Sequence, residues 1–313
     1  MERFKNNPIL KPITSHDWES RMVFNAATLY EDNRVHIVYR AVGDDGISRL
    51  GYASSSDGYQ IDERLPYPIF EPSTSEDADG CEDPRITLLD GQYFMCYTAL
   101  NDRILSTFQI ALTSIEVNDL INKRWKWGER LYPFSGIRNK DAALFPNKIN
   151  GKYALLHRVE PDICIAYSDN LINWCNMKAI IRPQREKWDS FKIGIGSPPI
   201  ETDWGWLVIY HGVNFNKAYC LGIVLLDKDN PEKVIYRSSK PILEPIEEYE
   251  RLGAVPNVVF SCGTVKMDNE VLIYYGGADS VLCVANYTLD ELISQNPTTE
   301  SNEYKIPIIV SQE

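Results

Sequence analysis

The sequence predicts an all-β chain folded as a five-bladed β-propeller with its functional site on the central axis. Three observations carry this. Related extended runs begin at Asn25, Asp83, Asp141, Ser197 and Asn257, with spacings of 58, 58, 56 and 60 residues. Each is followed by a turn and a strand ending in an aromatic residue or His, then by a third short strand. A proline-flanked motif that ends a unit elsewhere also stands before the first unit. A repeat of this length with several strands per unit is the pattern of propeller blades, none of which buries both faces without its neighbours.

Asn7-Pro8-Ile9-Leu10-Lys11-Pro12 matches Tyr67-Pro68-Ile69-Phe70-Glu71-Pro72 and Lys240-Pro241-Ile242-Leu243-Glu244-Pro245. The N-terminus is therefore predicted to supply the outer strand of the last blade, a place where proline can spare a backbone donor. In each unit the second strand closes on Tyr39, Tyr97, His157, Tyr210 or Tyr275. The stretch Ser73 to Asp79 reads as an acidic loop over the ring face, and Asn118 to Arg130, with Trp125 and Trp127, as packing between blades. The repeat fills almost all of residues 1–313, which predicts one domain, with a tail from about residue 288 that carries a short helix-like run and one more edge strand at Ile306 to Val310.

The chain has 313 residues and a net charge of −12, so a nucleic-acid groove or an anionic membrane surface is an unsuitable partner. Seven cysteines without a Cys-x-x-Cys pair suggest neither a disulfide framework nor structural zinc, and fit a reducing cytoplasm. No run has the length of a membrane span, and the N-terminus lacks a signal-peptide core. The histidines at 16, 36, 157 and 211 form no metal-ligand motif, so no metal is expected. A homo-oligomer is left open, because nothing marks an interface.

Inner strands line a propeller axis, so Asn25, Asp83, Asp141, Ser197 and Asn257 are predicted to face one another. Second strands return antiparallel, which brings Arg40, Thr98, Arg158, His211 and Gly276 to the same rim. Pro84 predicts an extended Asp83 at a strand mouth, and strand alternation then turns Glu82 to the opposite face. Arg138, Arg158, Lys192 and His211 come from the third and fourth units and form a half-ring of donors, the pattern of an anion site. The bland alternative is that Arg138 and Arg158 merely pair with Asp141 and Glu160. Charge-assisted hydrogen bonds contribute about 1.5–3 kcal/mol each, and millimolar anion binding needs only about 4 kcal/mol, so four donors suffice for inorganic phosphate.

Gly80-Cys81-Glu82-Asp83-Pro84-Arg85-Ile86, Arg138-Asn139-Lys140-Asp141 with Leu144-Phe145-Pro146, Leu156-His157-Arg158, Lys192-Ile193-Gly194, Tyr210-His211-Gly212, Val255-Pro256-Asn257 and Tyr275-Gly276-Gly277-Ala278-Asp279 together resemble glycoside hydrolase family 130. Cys81 stands where valine is common in that family, a small apolar exchange. The resemblance implies a five-bladed propeller and inverting phosphorolysis of a terminal β-mannoside by inorganic phosphate, giving α-mannose 1-phosphate. It implies Asp83 as general acid, acting directly or through a sugar hydroxyl. It assigns Arg138, Asn139, Arg158, Lys192 and His211 to phosphate, and Asn25, Arg40, Arg49, Arg85, Asp141, Tyr210 and Asp279 to the sugars. Phosphate is a co-substrate, so no cofactor is expected; the linkage, β-1,2 or β-1,4, stays open. One rival is an inverting hydrolase with Glu82 or Glu201 as base, which needs a second carboxylate where a phosphorylase does not. The other is a non-catalytic sugar-binding propeller.

Overall fold

The computed structural model describes residues 2–102, 107–267 and 270–294. The predicted tail strand at Ile306 to Val310 lies outside them; the helix-like run before it is a helix, Leu289–Ser294. Strands dominate, and they sort into the five expected units. Blade one holds Met22–Glu31, Arg34–Val42, Ser48–Ser55 and Glu63–Arg64. Blade two holds Gly80–Leu89, Gln92–Asp102 and Thr107–Glu116. Blade three holds Lys140–Leu144, Tyr153–Val159, Asp162–Ser168 and Trp174–Ile181. Blade four holds Lys192–Ile195, Ile200–Thr202, Gly205–Val213, Tyr219–Leu226 and Val234–Arg237. Blade five holds Val259–Met267, Glu270–Gly277 and Val281–Thr288.

Within each blade the strands pair antiparallel in chain order. Blades one and two are joined by a single parallel pairing, Ser48 with Gly80. The last blade is completed from the other end of the chain: Glu2–Arg3 pairs with Asn286 and Ala285, and Leu10 bridges Leu282. Phe70 bridges Leu50 and Leu243 bridges Leu221 in the same way, so the three proline-flanked motifs occupy equivalent outer positions. In blade four the inner strand is broken between Ile195 and Ile200 by Pro198 and Pro199, which have no amide hydrogen for the ladder.

A second repeat recurs on the second strand of each blade. Tyr39, Tyr97, Tyr210 and Tyr275 donate to the buried carboxylates of Glu19, Asp77, Asp189 and Glu250 at 2.9, 3.0, 2.8 and 2.8 Å. Each carboxylate also takes an arginine from elsewhere in the chain, respectively Arg64, Arg130, Arg237 and Arg3. A buried carboxylate needs such pairing to remain charged, so these nodes pin the blade edges. Blade three departs from the pattern. His157 replaces the tyrosine, stacks on Phe134 at 4.5 Å, and has no hydrogen-bond partner on either nitrogen.

Two expectations change here. Asp77 belongs to one of these nodes, inside the supposed acidic loop. Tyr210, expected beside the sugars, is wholly buried with its hydroxyl on Asp189 and Arg237. The Trp125 and Trp127 segment does pack between blades: Trp125 lies 5.1 Å from Tyr52, and Trp127 lies 5.3 Å from Phe70 with its indole N–H on the Ile69 carbonyl.

Candidate active site

The inner strands converge at one end of the axis through a shared backbone device. Asn25, Asp83, Asp141 and Asn257 have φ of 46°, 51°, 55° and 62°, and near the first three the inner-strand ladder shifts register. Asn and Asp are the side-chain-bearing residues that best tolerate this left-handed conformation, which accounts for their recurrence. Asp83 is therefore not extended, as Pro84 had suggested, but sits in a bulge that re-aims its side chain. The bulge also breaks strict alternation. Glu82 and Asp83 consequently reach the same guanidinium, with Arg40 Nη2 at 2.6 Å from Glu82 and Nη1 at 3.0 Å from Asp83.

Asp83 is 6 % exposed and accepts a second bond from Asn25 Nδ2 at 2.9 Å. Burial alone would raise its pKa, but the charges of Arg40, Lys140 and Arg85 and the Asn25 bond hold it below the usual carboxylate range. Asp279 behaves oppositely. It follows Ala278, both with positive φ, in the three-residue turn between Gly277 and Val281, and the Ser280 amide donates to the Gly277 carbonyl. Burial first, and then the nearby Asp83 and Glu82 charges, push its carboxyl up to about 6 against the pull of Arg40 and Lys140.

The opposite side carries the cations. Arg158 pairs with Asp141 at 2.8 Å and approaches His211 Nε2 at 3.4 Å. Arginine only donates, so Nε2 accepts and the imidazole proton sits on Nδ1, which has no partner. Burial holds His211 neutral, lowering its pKa to about 3. Asn139 Oδ1 accepts the Ile110 amide at 2.9 Å, leaving Nδ2 unpartnered. Lys192 lies 3.2 Å from Glu160, while Arg138 is exposed with its guanidinium 4.5 Å over the Phe108 ring. The bland pairing of Arg158 with Asp141 thus occurs, but it leaves Asn139, Lys192 and Arg138 outside that pair. Gly194 is required by closeness: a Cβ there would stand 2.4 Å from Asp141 Oδ2 and 2.6 Å from His211 Nε2.

Several expected sugar contacts sit elsewhere. Arg85 is 1 % exposed and donates to the Gly196 and Ile195 carbonyls at 2.6 and 2.7 Å, to the Asp83 carbonyl, and to Asp141. It pins the inner strands of blades two, three and four from within. Asp141 is enclosed by Arg85, Arg158 and His211, and the Arg158 and Arg85 charges hold its pKa far down despite burial. Both side chains hold the protein's own inner strands together. Arg49 is at the rim, engaged by Asp45 at 2.8 Å and Glu71 at 3.6 Å. Arg40, Asn25 and Asp279 do gather around Asp83.

Glu82, expected on the face opposite Asp83, joins it in the site, and so does Lys140, which the sequence did not single out and whose Nζ is 3.3 Å from Glu82 Oε2. Lys140 lies inside the Arg138-Asn139-Lys140-Asp141 motif, so its place there was the available signal. Among the described residues no group of three or more His, Cys, Asp or Glu could hold a metal ion, and no helix is long and apolar enough to cross a membrane.

Buried carboxylates at the inner-strand mouths, with cations and the unpartnered Asn139 and His211 nitrogens on the neighbouring blades, define the class: a β-propeller enzyme with a polar site on its axis. The chain belongs to glycoside hydrolase family 130: the family model, described as β-1,4-mannooligosaccharide phosphorylase, matches residues 1–296. It is 45 % identical over 292 residues to a 1,2-β-oligomannan phosphorylase of Thermoanaerobacter sp. (strain X514), covering 91 % of this chain and 96 % of that protein. A β-1,2-mannobiose phosphorylase of the same organism is 46 % identical over 298 residues, with the same coverage. The β-1,2-mannobiose phosphorylase of Listeria innocua, solved as a β-1,2-mannobiose complex, superposes with a TM-score of 0.81 at 25 % identity, over 94 % of this chain and 98 % of that one.

Proposed function

We propose that this chain is an inverting β-mannoside phosphorylase acting on β-1,2-linked mannooligosaccharides, with inorganic phosphate as co-substrate and α-mannose 1-phosphate as product. The observation that carries the reading is Asp83 on the axis facing a wall that contains Asn139, Arg158, Lys192 and His211, with unpartnered donors on Asn139 and His211. The family model is described by β-1,4 substrates, whereas the two relatives near 45 % identity over most of the chain bear β-1,2 names, and the whole-chain likeness is given more weight.

Phosphate held by that wall attacks C1 as the bond from C1 to the leaving oxygen breaks, and fixed donors replace the water that the anion sheds. Asp83 supplies the proton to the leaving sugar. The Arg40, Lys140 and Arg85 charges hold it ionised, so it acquires its proton as sugar and phosphate enter, since exclusion of water and added negative charge both favour the neutral carboxyl. Phosphate entering as the hydrogen phosphate brings a proton that the phosphomonoester releases, and this restores the acid. Arg40 and Asp279 border the sugar, and Arg138 caps the phosphate side from solvent.

A hydrolase would need a carboxylate base on the phosphate side. Glu82 is held by Arg40 and Lys140 in the acid corner. Glu201 pairs across from Trp206, five residues down the strand from His211, about 17 Å away at about 3.3 Å per residue. The seven cysteines are unpaired, which supports a reducing compartment and a cytoplasmic enzyme. Incubation with β-1,2- and β-1,4-mannobiose, with and without phosphate, tests the reading. Sugar phosphate should form only with phosphate, and faster from the β-1,2 substrate; free mannose released independently of phosphate would establish the hydrolase.

A further inference from the structure

The corner opposite the phosphate wall holds three carboxylates, Glu82, Asp83 and Asp279, and two cations, Arg40 and Lys140. Arg40 engages three partners: Nε donates to Ser48 Oγ at 3.0 Å, Nη1 to Asp83 at 3.0 Å and Nη2 to Glu82 Oε1 at 2.6 Å, while its plane covers Phe24 at 4.7 Å. Lys140 reaches Glu82 Oε2 at 3.3 Å and stands 4.5 Å from the Phe108 ring. Glu82 thus takes a different cation on each oxygen, and it is only 7 % exposed. Asp83 shares one Arg40 nitrogen and otherwise has a neutral amide, that of Asn25.

Resting on the reading of Asp83 as the acid, we propose that Glu82 is a positioning residue that sets the proton occupancy of Asp83 and Asp279. By holding Arg40 and Lys140 it absorbs positive charge that would otherwise fall on both aspartates. Glu82 draws on the same Arg40 and Lys140 that act on the two aspartates, so its charge opposes the pull of those cations on both carboxyls. With Glu82 neutral, Arg40 and Lys140 would act on the aspartates unopposed, and both carboxyls would ionise at lower pH. The groups facing the pair come from separate elements: Arg40 from blade one, Glu82 and Arg85 from blade two, Lys140 from blade three. The Asp279 carboxyl rises to about 6 through burial first, and the Glu82 charge adds to that rise beside Asp83.

Glu82→Gln removes the charge and keeps the shape. In protein carrying 13C-labelled aspartate carboxyls and no substrate, one carboxyl should titrate near pH 6, vanish in Asp279→Asn, and move at least half a pH unit lower in Glu82→Gln. Lys140→Met should move it upward, which gives a second variant if Glu82→Gln fails to fold. In phosphorolysis, Glu82→Gln should shift the alkaline limb of kcat to lower pH while leaving KM for phosphate unchanged, and Glu82→Asp should restore part of the shift. A titration unmoved in both variants, or a loss of kcat equal at every pH, would overturn the proposal. The substrate-free titration is independent of the reaction, so a failure of the acid assignment would show separately, as an active Asp83→Asn.

Discussion

Asn25 Nδ2 donates to Asp83 Oδ1 at 2.9 Å although 58 positions separate the two residues. They occupy the same place in successive units, both in the left-handed conformation at an inner-strand bulge. The bond therefore joins blade one to blade two at the proposed acid, and each side chain fixes the other's direction. Asp83→Asn is expected to lower kcat for phosphorolysis by about 10²–10⁴, the contribution typical of a positioned acid, with phosphate binding retained. Asn25→Ala, which leaves Asp83 oriented by Arg40 alone, should give a smaller loss; initial-rate kinetics on β-1,2-mannobiose measure both.

Lys192 can be replaced with little disturbance to the fold, because its carboxylate partner Glu160 is exposed. Lys192→Met should raise KM for phosphate by about one to two decades, from about 1.5–3 kcal/mol per charge-assisted bond. Its effect on KM for the sugar should be small. An unchanged phosphate KM would remove Lys192 from the site.

Tyr210 separates a sugar-binding role from a structural one. Its hydroxyl is spent on the Asp189–Arg237 node, so Tyr210→Phe should cost about 1 kcal/mol of stability and leave KM for sugar unaltered. Arg237→Met strands a buried carboxylate and should cost about 3–5 kcal/mol. Denaturant unfolding alongside kinetics distinguishes the two roles.

His157 should make blade three sensitive to acid. Burial holds its imidazole neutral in the fold and lowers its pKa to about 4, against 6.5 for the free side chain. The unfolded chain then binds more protons between these values. The stability is full above pH 6.5 and is lost as pH falls toward 4, by at most about 3 kcal/mol. His157→Phe, which keeps the stack on Phe134, should flatten that part of the curve in urea melts at pH 4 to 7. An unchanged slope would assign the acid sensitivity to other groups.

The blade count, the strand order and the closure of the last blade by the N-terminus were legible along the chain, because each follows from a short motif recurring at a fixed interval. The convergence of Asp83, Arg158, Lys192 and His211 was legible for the same reason: equivalent positions of a ring must meet at its axis. The direction of each side chain was not. Whether Asp83 is extended or bulged depends on bonds from Asn25 and Arg40, on another blade. Whether Arg85 meets a sugar depends on the Ile195 and Gly196 carbonyls, which consume its donors from 110 and 111 positions away. Periodicity is a local property of the chain and survives without the fold. Hydrogen-bond satisfaction and charge balance in a buried site are set by neighbours distant in sequence, so they come into existence only when the blades close.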